Sequence, residues 1–161
     1  MTRRVPWRKK GLTLIEALLA AVVLSMAITA VTMPFTAGAQ ASAEDARATL
    51  AVNLAQDLME EILAQPFRDP DGSNDGETSR TAWDDIIDYN GYVEAEGNIR
   101  SMGTELVTDP AATGLSRAVT VTDMYVDGRS DELAAFLNVT VEVRCRDRPL
   151  ETLTRLVYGN R

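Results

Sequence analysis

Lys9-Lys10-Gly11-Leu12-Thr13-Leu14-Ile15-Glu16 is the stretch whose reading decides this chain. Two cations stop at a glycine, four residues follow, and then comes one carboxylate. No further charged residue appears until Glu44. Ala17 to Met33 is almost wholly apolar, relieved by Ser25, Thr29 and Thr32. About 20 such residues span a bilayer, so Leu12 to about Val31 suffices. The preceding cations Arg3, Arg4, Arg8, Lys9 and Lys10 predict a cytoplasmic N-terminus by the positive-inside rule. Glu16 is the anomaly. An ionisable group at membrane depth costs at least ~2.5 kcal/mol on insertion scales and usually has a partner. Either a cation approaches it, or it snorkels to the headgroups.

Lys10-Gly11-Leu12-Thr13-Leu14-Ile15-Glu16 resembles the N-terminal signal of type IV pilins and pseudopilins. Glycine, basic flank, carboxylate and apolar run coincide, over about the first third of the chain. The resemblance implies a prepilin peptidase that cuts after Gly11 and N-methylates Leu12. Leu12 departs from the family's usual Phe. The resemblance also implies that Glu16 meets the Leu12 ammonium of a neighbouring subunit during filament assembly. Opposite charges in a low dielectric attract far more strongly than in water, so this contact would select the next subunit in register. The further partners implied are other pilin or pseudopilin subunits and an inner-membrane assembly platform. The location implied is the bacterial inner membrane, crossed once, with the C-terminal head outside the cytoplasm and later in a filament.

Pro34 ends the apolar run and predicts a kink, because it removes a backbone N–H. Beyond it, Leu50, Leu54, Leu58 and Ile62 recur every fourth residue, with Ala51, Ala55, Met59 and Leu63 as the adjacent row. That is one apolar helical face. The expectation is a helix from Leu12 to about Ala64, with residues 12–34 in the membrane or filament core. Residues 35–64 form its amphipathic half, after a leader of residues 1–11.

The remainder, residues 65–161, reads as a head. Residues 65–115 are loop-rich, with Trp83, Ile86, Ile87 and Tyr89 pinning the loop onto the rest. Residues 116–158 are β in character, with alternation over Arg117–Val126, Phe136–Arg146 and Leu150–Tyr158. Asp147-Arg148-Pro149 is read as the last turn, and Thr108–Gly114 as a flexible connection. One face of the last strand carries Leu150, Thr152, Thr154, Leu156 and Tyr158, the other Glu151, Leu153, Arg155 and Val157, and its orientation stays open. Three antiparallel strands packed on the amphipathic helix give an α+β head.

Composition narrows the function. Among 161 residues the net charge is −8, and losing the five leader cations leaves 11 Lys+Arg against 24 Asp+Glu, or −13. Nucleic-acid binding needs basic patches, so it is not expected. There is no histidine, the commonest general base and metal ligand. Cys145 is alone, so no intrachain disulfide closes the head. Many major pilins close such a loop, which turns the resemblance toward a minor pilin or pseudopilin.

Asp71, Ser73, Asp75 and Gly76 partly match the opening of a calcium loop, but Ala82 stands where its closing glutamate belongs. A solvated acidic loop is the simpler reading, and no cofactor is expected. No nucleophile elbow, zinc-binding helix, redox cysteine pair or phosphate loop is present in the sequence, so no catalytic residues are assigned. Two rival readings remain. Ala37-Gly38-Ala39 matches an ordinary secretory cleavage pattern, which would release a soluble binding domain starting at Gln40. An enzyme anchored by the N-terminal helix is the other.

Overall fold

The computed structural model describes residues 11, 13–70, 72, 77–102, 104–125 and 136–159. The chain divides into two units, Met1–Ser42 and Ala43–Arg161, and one helix, α1 (Leu14–Leu63), contributes to both.

In the first unit, every described residue of α1 is exposed. The helix begins where Thr13 supplies a side-chain acceptor to the backbone N–H of Glu16 at 3.4 Å, the cap expected of a threonine before an apolar helix. Helical structure passes through Pro34. The proline cannot donate to the carbonyl one turn earlier.

In the second unit, α1 buries Ala51, Leu54, Ala55, Leu58, Met59 and Ile62. This is the face set by the four-residue recurrence. Leu63 departs from it and is 39% exposed, because it stands in the final turn beside the Ala64–Gln65 exit. Opposite the helix lies a four-stranded antiparallel sheet in the order β1 (Val93–Glu94), β2 (Leu115–Met124), β3 (Phe136–Cys145) and β4 (Arg148–Tyr158). Leu115, Val119 and Val121 of β2 and Leu137, Val139, Val141 and Val143 of β3 join the helix face in one core. Leu153 and Val157 of β4 pack at its margin. The last strand therefore turns Leu150, Thr152, Thr154, Leu156 and Tyr158 to solvent. Burying the apolar side chains of this core is the main stabilising term, at roughly 1.5–3 kcal/mol for each large aliphatic side chain.

The architecture is α+β, and the strands and connections differ locally from the sequence reading. A fourth strand, β1, exists although only two residues long. The β3–β4 turn is Arg146–Asp147, both at positive φ (47° and 66°). Two such central residues make a type I′ turn, whose twist matches the flanking strands. Arg148 and Pro149 consequently belong to β4, where a proline is tolerated on an edge. The Thr108–Gly114 connection contains a 3₁₀ turn, Pro110–Ala112, whose Ala111 N–H donates to the Asp109 carboxylate at 2.8 Å.

The loop 65–115 is pinned as expected through Ile86 and Tyr89, both buried, and the half-buried Trp83. Trp83 meets Tyr89 and Tyr92 edge to face, with ring centroids 4.8 and 5.1 Å apart. Ile87 is instead 46% exposed. It opens the 3₁₀ turn Ile87–Tyr89, which places Tyr89 inward and Ile87 outward.

Candidate functional site

The head of α1 carries the sequence-predicted residues. Gly11 is exposed and lies outside the helix; Leu12 is outside the described residues. Glu16 is in the first helical turn. Thr13-Leu14-Ile15-Glu16 has the spacing of a capping box, in which the glutamate also favours the positive end of the helix. The bond seen is that of the Glu16 backbone N–H to Thr13, and the carboxylate stands at the positive end of the helix. Within the span, hydroxyls are turned back onto the helix. Ser25 donates to the Val22 carbonyl at 2.8 Å, Thr29 to Ser25 at 2.9 Å and Thr36 to Met33 at 2.9 Å. Satisfied hydroxyls leave the helix surface apolar. Leu19, Val23, Met26, Val31 and Phe35 are all more than half exposed. This is one helix long and apolar enough to cross a membrane. Pro34 sits at its far end, inside α1.

A second feature is buried in the head. Glu61 of α1, Arg80 of the loop, Glu94 of β1 and Arg117 of β2 form an alternating chain of charges. Arg80 Nε donates to Glu61 Oε1 at 2.6 Å, and Arg80 Nη2 to Glu61 Oε2. Arg80 Nη1 donates to Glu94 Oε1 at 2.9 Å. Arg117 Nε donates to Glu94 Oε2 at 2.6 Å, and its Nη1 and Nη2 donate to the carbonyls of Leu54 and Arg100 at 2.8 and 2.7 Å. The Tyr89 hydroxyl donates to Glu61 at 3.0 Å, and the Tyr92 hydroxyl to Glu94 at 2.7 Å.

Every carboxylate oxygen of the pair Glu61 and Glu94 thus accepts a hydrogen bond, and the four charges cancel. Planar guanidinium forks suit such bidentate pairing. Arg80 is held more firmly protonated, chiefly by its hydrogen bonds to Glu61. Burial pulls the Arg117 guanidinium down, opposed by Glu94. Burial, and then the charge of Glu61, push the Tyr89 hydroxyl up to about 12. Arg117 occupies an inward position of β2, on the same face as Leu115, Val119 and Val121.

The third feature is acidic. Asp71, Ser73 and Asp75 lie outside the described residues. Close by in the chain, Glu77, Asp84 and Asp88 each bring one carboxylate oxygen within 4.8 Å of the others. Asp88 Oδ2 accepts from the backbone N–H groups of Asp84 and Asp85 at 3.1 and 3.2 Å. Burial, then the hydrogen bond and charge of Asp88, and then Asp84 and Asp69, push the Glu77 carboxyl up to about 7. Hard oxygen donors of this kind can hold a divalent cation, but calcium takes 6–8 of them.

A long N-terminal helix, apolar and exposed at first and then packed on a small antiparallel sheet, is a pilin-like architecture. No family model, curated protein or solved structure matches the chain.

Proposed function

We propose that the chain is a structural subunit of a type IV pilus or type II secretion filament, as a minor pilin or pseudopilin. Prepilin peptidase cuts after Gly11 and methylates Leu12. The subunit crosses the inner membrane once, with its N-terminus in the cytoplasm and its head outside. The assembly platform then passes it into a filament, where the exposed helix packs among those of other subunits. Glu16 guides that step by accepting the Leu12 ammonium of a neighbour. No catalytic step is assigned to the head.

One observation carries the reading. The described part of α1 up to Ser42 is exposed and apolar, and its only carboxylate, Glu16, lies in the first turn directly behind Gly11. Such a surface needs lipid or other helices to cover it. Against a cut after Ala39 stand Glu16 and the length of the apolar run, which exceeds the roughly 7–15 residues of a secretory h-region. Intact-mass and N-terminal peptide analysis of the protein from its native membrane tests the proposal. It expects a chain beginning at Leu12 with one added methyl group, and an uncut precursor when Gly11 is replaced. A chain beginning at Gln40 would replace it with a secreted soluble domain.

A further inference from the structure

The buried face of α1 packs on β2 and β3, the two middle strands of the order β1-β2-β3-β4. The head therefore has two flanks. β4 forms one. The other is β1 with the loop around it, which runs along β2 on the side away from β3. There the Gly91 N–H donates to the Val119 carbonyl at 3.1 Å, and the Val119 N–H donates to the Tyr92 carbonyl at 2.9 Å.

The two flanks differ in charge. Residues 77–109, on the β1 flank, hold eight acidic side chains against two arginines. Of those arginines, Arg80 is engaged inside the head by Glu61 and Glu94. Residues 136–158, which form β3 and β4, hold four arginines against three acids, in a chain that is otherwise strongly acidic. Arg144 is paired with Glu142 of its own strand at 2.8 Å. Arg148 and Arg155 of β4, and Glu96 and Glu105 of the other flank, are exposed. None of these four has an ion-pair partner among the described residues.

β4 is a poor template for an added strand. Pro149 donates no N–H, and the β3–β4 register shifts between Val143 and Arg144. A neighbour would meet this flank through side chains, not through a ladder.

We propose that the β4 flank of one copy docks against the β1 flank of a second copy of this chain, with Arg148 and Arg155 turned toward Glu96 and Glu105. The two copies point the same way. That arrangement rests on the filament reading, in which all subunits enter one membrane and one filament in the same sense. They are then related by rotation about the filament axis and translation along it, and unlike surfaces meet. Each copy keeps one flank free for the next, and such heterologous contacts build open helices when the rotation does not close. Like flanks repel, so charge decides which flank meets which.

The test uses the full chain in its native membrane with Cys145→Ser, so that introduced thiols are the only ones. Ala95→Cys marks the β1 flank and Thr152→Cys the β4 flank, both at exposed positions that leave the charges intact. Differently tagged chains are co-expressed and treated with a bismaleimide. The mixed pair should cross-link at least about tenfold better than either variant with itself. Arg148→Glu with Arg155→Glu should lower the mixed yield about tenfold, and adding Glu96→Arg with Glu105→Arg should restore it. Circular dichroism checks that each head is folded, and the two cysteine variants alone decide if a charge variant is not. Filament fractions from the same cells are probed in parallel. A chain present in filaments without preferential mixed cross-linking would overturn the flank contact and leave the filament reading intact. A mixed cross-link in a chain that never leaves the membrane would keep the contact and remove the filament reading. Equal yields for mixed and like pairs, or no cross-link at all, would overturn the proposal.

Discussion

Arg117 of β2 donates from Nη1 to the Leu54 carbonyl of α1 at 2.8 Å, across 63 positions of sequence. A helix carbonyl already engaged in its own ladder keeps a second lone pair, and the guanidinium uses it. With Glu94 on its other side, Arg117 joins helix, loop and sheet through one buried group. The apolar core holds these layers together, and the charge chain adds a fixed register between them.

Truncating Arg117 should therefore cost more than removing an ordinary core side chain of its size. Arg117→Met leaves Glu94 buried with one guanidinium partner fewer, and breaking a buried pair in this way costs about 3–5 kcal/mol. Arg117→Lys keeps the charge but not the fork, and should recover only part of that loss. Urea unfolding of the detergent-solubilised chain measures both. A loss below about 1 kcal/mol for Arg117→Met would mean that the network adds little to stability.

The β3–β4 turn offers a gain. Arg146 and Asp147 both adopt positive φ, a conformation that costs non-glycine residues roughly 1–3 kcal/mol each. Asp tolerates it better than most, so Asp147→Gly should stabilise by about 1 kcal/mol. A rise in the melting temperature checks this, and a fall would show that the Asp147 side chain contributes more than its backbone strain costs.

These two sites mark the limit of what the sequence discloses. The helix face and the β2, β3 and β4 strands were legible because burial follows a period of about four in one and two in the other. The sequence points to a β3–β4 turn one residue too late, since Pro149 is a strong turn signal and Arg146–Asp147 a weak one. β1 is too short to carry a pattern. The charge chain was illegible for a different reason. Arg80, Glu61, Glu94 and Arg117 are brought together from four separate segments, and each alone resembles a solvated charge. Glu16 was legible as a motif, while its relation to Thr13 lay in the same eight residues and was absorbed by that motif.

Glu77 gives the head a pH dependence. Its carboxyl rises from 4.5 to about 7 in the folded chain. Below the lower value both folded and unfolded states hold the proton. Between the two, the folded state holds it while the unfolded state releases it, so stability falls as pH rises. Above about 7 both are ionised, and the folded state bears the burial and the repulsion from Asp88, Asp84 and Asp69. Glu77→Gln should therefore be more stable than the parent at pH 8 and equal to it at pH 4. Melting temperatures across that range measure the difference, and parallel curves for the two proteins would place the titration elsewhere.

Glu16 has a proposed part in assembly and a position that fits a capping box, and a single substitution can separate the two. As the fourth residue of Thr13-Leu14-Ile15-Glu16 it supports the helix start, where Thr13 accepts from its backbone N–H. Glutamine serves a capping box nearly as well as glutamate. As the proposed partner of a neighbouring Leu12 ammonium it must be charged. Glu16→Ala removes both roles and Glu16→Gln only the second. Processing after Gly11 should continue in both variants, because neither alters the basic flank or the glycine. If charge pairing guides assembly, both should lose incorporation into filaments to a similar extent, at least about tenfold for a contact worth 1.4 kcal/mol or more. If helix capping is what matters, Glu16→Gln should assemble normally and Glu16→Ala should not. Filament fractions probed with antibody to the head, beside the processed membrane pool, distinguish these outcomes. Normal incorporation of Glu16→Gln would sink the charge-pairing role while leaving the membrane-spanning helix as it stands.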